Sequence, residues 1–279
     1  MIAFYKPPIS RDLPPILYQY TTRAGLLGIT AKPASIWASN IRYLNDSTEF
    51  DAAVTIASSV SEELLSSGIN DNEKNLLESF RIWISSWNAT QYQSYICSFT
   101  ENGNLLSQWR GYTKPGDGYS IGFDSQTLFD ICRTQDYFLI PCEYDLLVQR
   151  SLIEQIITNG FDLLKAGEQP DDVVIKLLFS FLYTAPMIKN DNFKEESEWR
   201  LVTIFQPNPP DTLLFRSGKF TLIPYRLFKL GDVLPIKKVI IGPNPHGPLD
   251  SQAIINLLQI RGAPAGISCE WSNIPFRDF

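Results

Sequence analysis

Histidine is almost missing from this sequence: His246 is the single one among 279 residues. A Ser-His-Asp triad needs a histidine oriented by a partner group, and histidine-based metal sites need two or more. The one present sits in Gly242-Pro243-Asn244-Pro245-His246-Gly247-Pro248, a run of turn formers that reads as a solvated loop. Serine hydrolases, zinc hydrolases and histidine-based phosphodiesterases are thereby set aside. Cysteine is scarce as well. Cys97, Cys132, Cys142 and Cys269 form no Cys-x-x-Cys pair and lie in apolar or strand-like surroundings, as expected for buried free thiols in a reducing cytoplasm. Positive charge is not in excess: 24 basic against 30 acidic residues, net −6, argues against a broad nucleic-acid surface, though not against a local basic pocket. Long apolar runs are missing too. The longest, Val173 to Ile188, contains Lys176 and Pro186, is too short to span a bilayer and reads as a buried helix. The first eight residues lack the apolar stretch of a signal peptide. The expectation is a cytoplasmic protein with no membrane partner.

What is present is a mixture of short strands and helices without strict βαβ alternation. Strands are expected at Leu17–Tyr20, Ser35–Ser39, Tyr95–Thr100, Gly118–Phe123, Tyr137–Tyr144, 198–205 and Lys237–Ile241, with a short final one at Gly266–Glu270. A hairpin is expected around Phe215–Phe220. Helices are expected from Arg23, capped by Thr21 or Thr22, and from about residue 48, with Asp46 and Glu49 at capping-box spacing. Further helices are expected over 72–87, 105–112, about 146–166, 171–188 and 249–260. The fold class is α+β, a mixed, mainly antiparallel sheet with flanking helices. No repeat, low-complexity tract or clear linker divides the chain. One domain over 1–279, with a helical insertion at about 146–188, is expected.

The densest chemistry lies in Phe193-Lys194-Glu195-Glu196-Ser197-Glu198-Trp199-Arg200, which runs into the strand-like Leu201-Val202-Thr203-Ile204-Phe205. A strand over 196–204 places Glu196, Glu198 and Arg200 on one face and Trp199 and Leu201 on the other. Two adjacent carboxylates repel each other, so they either act on a substrate or join an ion-pair network with arginines. Two other clusters stand out. Tyr18, Tyr20 and Arg23 lie at a strand-to-helix junction, where a helix N-terminus and an arginine favour anionic groups such as phosphate. Ser98 and Thr100 share one strand face, and Leu106-Ser107-Gln108-Trp109-Arg110-Gly111-Tyr112 follows. Gln108, Arg110 and Tyr112 supply an amide, a phosphate-capable fork and a stacking ring, with Trp109 either in the same pocket or in the core. A carboxylate, an arginine and aromatic rings are the parts needed to handle an oxocarbenium-like sugar cation with a phosphate on one side and a leaving base on the other.

This arrangement resembles the ADP-ribosyltransferase fold, in which one branch carries an arginine on the first strand, Ser-x-Ser or Ser-Thr-Ser on a middle strand and Glu-x-Glu on a later one. Ser98-Phe99-Thr100 and Glu196-Ser197-Glu198 follow that order, and Tyr18, Tyr20 and Arg23 stand in for the first-strand arginine. The resemblance implies that Glu198 holds the ribose of NAD and stabilises the developing cation. It also implies that Glu196 positions the acceptor and Ser98 supports the site. A second resemblance covers more of the chain. Leu17–Tyr20, Trp37–Asn40 with Leu44–Glu49, Cys97–Thr100, Leu106–Tyr112, Phe193–Arg200, Ile240–Pro243 and Ile274–Arg277 are similar to the bacterial family catalogued as domain of unknown function 2971. That resemblance implies a cytoplasmic bacterial protein, with some members tied to phage defence or abortive infection.

Three functions follow as expectations. The first is an NAD-using ADP-ribosyltransferase or NAD hydrolase, acting as a toxin-like defence effector on a macromolecular acceptor or beside a partner defence protein. NAD is its substrate and no metal is needed. Its catalytic residues are Glu198, Glu196 and Ser98. Tyr18, Tyr20, Arg23, Thr100, Gln108, Trp109, Arg110 and Tyr112 bind the nucleotide. The second is a non-catalytic module that binds a nucleotide or a phage component between Tyr18, Trp37, Trp109, Arg110 and Tyr112. The third is a metal-dependent nuclease using Asp46, Glu49, Glu196 and Glu198.

Overall fold

The computed structural model describes residues 11–44, 48–86, 93–113, 116–205, 213–243 and 247–274. The turn around His246, the Asp46 and Glu49 side chains and Pro275–Arg277 lie outside them.

The central strand is β3 (Gln93–Thr100). Its odd residues Tyr95, Cys97 and Phe99 belong to one apolar cluster and Ile96 to another, as the two-residue period of a strand requires. Along one edge β3 pairs over its full length with β6 (Glu198–Phe205), Ser98 opposite Arg200 and Thr100 opposite Glu198. β5 (Phe138–Pro141) lies on the far side of β6. The other edge of β3 is shared. β1 (Ile16–Thr22) reaches it only at Tyr18 opposite Thr100, and β2 (Ser35–Asn40) only at Ser39–Asn40 opposite Tyr95–Ile96. Between those contacts, residues 97–99 have no strand partner on that edge among the described residues. β1 and β2 therefore diverge, and the opening between them is a cleft.

Beyond β1 come β4 (Gly118–Asp124), β9 (Ile236–Ile241) and β10 (Ser268–Trp271), the last pairing parallel to β9. Beyond β2 come β8 (Leu222–Lys229) and β7 (Leu214–Ser217), a hairpin at the sheet edge. The result is a mixed α+β fold with a mainly antiparallel, open sheet.

The two faces are covered differently. α1 (Arg23–Ile29), α5 (Ser125–Cys132) and α8 (Gly247–Ile260) pack Leu26, Leu128, Ile254 and Leu258 onto the face carrying Leu17, Tyr95, Phe99 and Trp199. The opposite face carries Ile96, Val202 and Ile204 under α2 (Thr48–Ser66), α3 (Asp71–Ser85), α6 (Leu146–Lys165) and α7 (Pro170–Thr184). Side chains such as Phe80 and Phe181, fully buried and edge-on to each other, contribute about 1.5–3 kcal/mol each through burial alone. The helices of 146–184 thus join α2 and α3 in one layer. On the same sheet face but apart from that layer, α4 (Leu106–Tyr112) buries Trp109 against Tyr20 and Ile240. The cleft opens between α4 and the four-helix layer.

One strand is shorter than the sequence suggests, and another leaves Glu196 outside it. β6 spans 198–205 as expected, but Glu196 is not on it, because 191–196 coil into a 3₁₀ turn that ends at Ser197, held in the left-handed region with φ 42°. β5 occupies 138–141 rather than 137–144: Pro141 has no N–H for a ladder, and the chain then turns to bridge Glu143 with Ile188.

Candidate functional site

The cleft has a volume of about 240 Å³ and is lined from both diverging strands, from the β3 edge and from α4. Tyr18, Gln19 and Tyr20 come from β1, Trp37 and Ser39 from β2, Ile96 to Thr100 from β3, and Gln108 and Tyr112 from α4. Glu196 and Glu198 enter from the β6 side and Arg216 from the β7–β8 hairpin.

The aromatic wall is fixed by small residues and hydrogen bonds. A Cβ on Gly103 would lie 2.5 Å from the Tyr18 ring, and one on Gly122 would lie 2.9 Å from it. Only glycine at both places lets the ring lie between loop and sheet. Tyr20 donates its hydroxyl to the Asn102 carbonyl at 2.9 Å and accepts from the Leu105 amide at 2.8 Å. Burial pushes that phenol up to about 12, so it stays protonated. Tyr112 is 46% exposed. Desolvation raises its phenol, and the carboxylates of Glu196 and Glu198 raise it further.

At the β6 side four charges meet. Arg200 donates Nε to Glu198 Oε1 at 2.7 Å and Nη2 to Glu198 Oε2 at 2.9 Å, a two-pronged contact. The Lys189 ammonium also bonds Glu198 Oε2 and sits 2.6 Å from Glu196 Oε2. Lys189, Glu198 and Arg200 are all buried. Burial pushes the Glu198 carboxyl up, but the charges and hydrogen bonds of Arg200 and Lys189 outweigh it and hold the group at about 2. Glu198 is thus a permanent carboxylate. With Glu196 it balances two cations, so the cluster is neutral in sum.

The surrounding chain holds this cluster in place. The Glu198 amide donates to the Tyr144 hydroxyl at 2.9 Å, and Arg200 Nη1 donates to the Pro186 carbonyl at 2.8 Å. Buried Gln149 bonds the carbonyls of Glu143 and Lys189. Thr100 donates its hydroxyl to the Glu196 carbonyl, tying β3 to the 3₁₀ turn. The left-handed Ser197 turns the chain so that Glu196, though outside the strand, still reaches Lys189. Glu196 is the outermost of the four, its side chain 17% exposed, and only its Oε2 is engaged by Lys189. The cleft end of a neutral cluster is therefore negative.

The structure brings eight of the expected residues to the cleft: Tyr18, Tyr20, Ser98, Thr100, Gln108, Tyr112, Glu196 and Glu198. Three are elsewhere. Arg23 follows the end of β1 and turns to Asp117 at 3.7 Å and the Tyr119 hydroxyl at 3.4 Å, on the opposite sheet face. Trp109 is fully buried, edge-on to Tyr20 at 4.7 Å, with its indole N–H bonded to Asn104. That is the core alternative. Arg110 is solvent-exposed and lines no part of the cleft. Sequence reasoning missed Lys189, Gln19, Ser39 and Arg216. Lys189 carries one signal: it is the charged residue that ends the apolar run closing at Ile188.

No group of three or more His, Cys, Asp or Glu gathers among the described residues. Between Glu196 and Glu198 the bridging position is taken by the Lys189 ammonium. Among the described residues no helix is long and apolar enough to cross a membrane.

The fold and cleft define a mixed α+β protein with a neutral buried charge cluster beside an aromatic-walled pocket. Residues 108–201, which hold Lys189, Glu196, Glu198 and Arg200, match the model of a family described as a protein of unknown function, DUF2971, in agreement with the resemblance carried by the motifs. No curated protein and no solved structure gives a significant match to the chain.

Proposed function

We propose that the cleft binds a nucleotide of the NAD class and that the protein cleaves its N-glycosidic bond, as an ADP-ribosyltransferase or an NAD hydrolase. The observation that carries this reading is the convergence of three distant motifs, Tyr18/Tyr20, Ser98-x-Thr100 and Glu196-x-Glu198, on one cleft where β1 and β2 part from β3. Tyr18 and Tyr112 offer faces for a base, and Ser98 offers a hydroxyl. In the reaction the bond from ribose C1′ to the nicotinamide nitrogen breaks, and nicotinamide leaves with the electron pair. Water or an acceptor side chain then bonds C1′ and gives up a proton. The cation-like sugar in between is best placed against Glu196, the exposed carboxylate of the cluster. Glu198, committed to Arg200 and Lys189, positions Glu196 through the shared ammonium and is too acidic to take up a proton as a base.

The test is NAD consumption by the purified protein, with cell extract as a source of acceptors. Glu196→Gln is the informative variant, because Glu198→Gln also strips a buried counter-charge from Arg200. We expect turnover in the wild type and a loss of about 10²-fold or more in Glu196→Gln. Full turnover in that variant would remove the assignment. A second reading, a nucleotide-binding module without chemistry, is favoured by one observation, the near-saturation of Glu198. Nucleotide binding without turnover in the wild type would establish it.

A further inference from the structure

We infer that Arg216 is the anion-binding residue of the cleft and takes the diphosphate of the nucleotide. The inference rests on the nucleotide reading above. The paired arginines give the contrast: Arg23, Arg81, Arg150 and Arg200 each face a carboxylate within 4 Å. Arg216 has no carboxylate partner among the described residues. Among the same residues its one hydrogen bond runs from Nη2 to the Ser39 hydroxyl at 3.1 Å, and its buried Nε has no partner. A guanidinium with one donor engaged out of five keeps a planar fork suited to two phosphate oxygens. A buried unpaired donor is costly, and a bound anion would relieve it.

The side chain is held where such an anion would sit. Register places Arg216 opposite Ile223 in the hairpin, on the same face as Tyr225 and Trp37. The guanidinium lies over the Trp37 ring at 5.8 Å, and Trp37 rests on Tyr225 at 4.7 Å. This aromatic stack keeps a long flexible side chain aimed at the cleft and weakens its hold on water. The two sides of the cleft then differ in sign: a guanidinium with unused donors at the hairpin and the Glu196 carboxylate at β6. A ligand with an anion at one end and sugar hydroxyls at the other matches that polarity. A nucleoside diphosphate meets it, and a bare nucleoside meets only half.

The experiment is calorimetric titration of the full chain with inorganic pyrophosphate, ADP and adenosine, for the wild type, Arg216→Ala and Arg216→Lys. We expect the wild type to bind ADP and pyrophosphate. Arg216→Ala should weaken both by about ten-fold or more and leave adenosine within about two-fold. Arg216→Lys should recover part of the loss, since a point charge replaces the fork. Equal binding of ADP and pyrophosphate by wild type and Arg216→Ala would overturn the inference. So would an equal loss for adenosine, which would mark Arg216 as packing for Trp37, or no binding of either anion to the wild type. Pyrophosphate contains no nicotinamide. Its binding without NAD turnover would therefore sink the glycosidic chemistry alone, and NAD turnover unchanged in Arg216→Ala would sink Arg216 alone.

Discussion

On the β6 side of the cleft Lys189, Glu196, Glu198 and Arg200 hold one another within hydrogen-bonding distance, all but Glu196 buried, and are backed by Tyr144, Gln149 and the Pro186 carbonyl. On the hairpin side a single guanidinium lies over one indole, on an edge strand whose neighbours Phe215 and Phe220 face solvent. The first arrangement is costly to dismantle, because removing one of its buried charges leaves the rest unbalanced, and removing Glu198 leaves Arg200 without that carboxylate. The second is cheap to dismantle, because water can replace what is lost. One side of the site is fixed by the fold. The other is fixed only by a ring and a hydroxyl, and it is where a ligand has most to add.

Breaking the fixed side should have the largest effect. Lys189→Met removes the ammonium that joins Glu196 to Glu198 and leaves two carboxylates against one guanidinium. We expect a loss of about 3–5 kcal/mol, read as a lower urea midpoint at unchanged slope. Acid titration probes the same cluster without mutation. Glu198 is depressed from 4.5 to about 2 in the folded chain. Its contribution is therefore complete above about pH 4.5 and is lost as the pH falls from there through 2, amounting to about 3 kcal/mol. Urea unfolding at pH 7, 4 and 2.5 should show the loss in the wild type. The Glu198→Gln variant, already less stable at pH 7, should lack that increment.

A smaller effect is expected at the aromatic wall between the two sides. In Gly103→Ala the new methyl would stand 2.5 Å from the Tyr18 ring, so loop and ring must separate. About 1–3 kcal/mol should be lost. In a Tyr18→Ala background the same substitution should cost almost nothing, and the difference is the coupling measured by a double-mutant cycle. Equal cost in both backgrounds would place the strain in the loop backbone instead.

These contrasts also mark how far the sequence could be read. Strand alternation located β3 and β4 to within two residues, because each buries alternate apolar residues on one face, Tyr95, Cys97 and Phe99 in β3 and Tyr119, Ile121 and Phe123 in β4. Side-chain chemistry put the cap of α1 at Thr21 or Thr22, and the structure has it at Thr22. Glu196 was placed on the strand because period-two spacing cannot anticipate a left-handed serine in its path. Residue type alone did not separate Arg23, spent on Asp117, from Arg216, spent on nothing charged. That distinction depends on which strands pair, and the β2–β8 pairing joins segments nearly 190 residues apart. Lys189 was invisible for the same reason: its partners are close along the chain, but only the 3₁₀ turn and β6 together bring both carboxylates to it.

The smallest effect on stability should come from Arg216→Ala, and its smallness is what sharpens the contrast. The residue is half-buried on an edge strand, with one hydrogen bond to a neutral hydroxyl and one cation–π contact at 5.8 Å. A hydrogen bond from a charged donor is worth about 1.5–3 kcal/mol net, and an exposed cation–π contact about 0.5–1. Against these stands the buried Nε, unpaired among the described residues, which costs a comparable amount. The balance predicts a change within about 1 kcal/mol, seen as an almost unmoved thermal midpoint. A large loss would mean that the hairpin depends on Arg216 for its own attachment to β2, making both sides of the cleft structural. An unmoved midpoint together with weaker diphosphate binding would separate the two sides, one serving the fold and one serving the ligand.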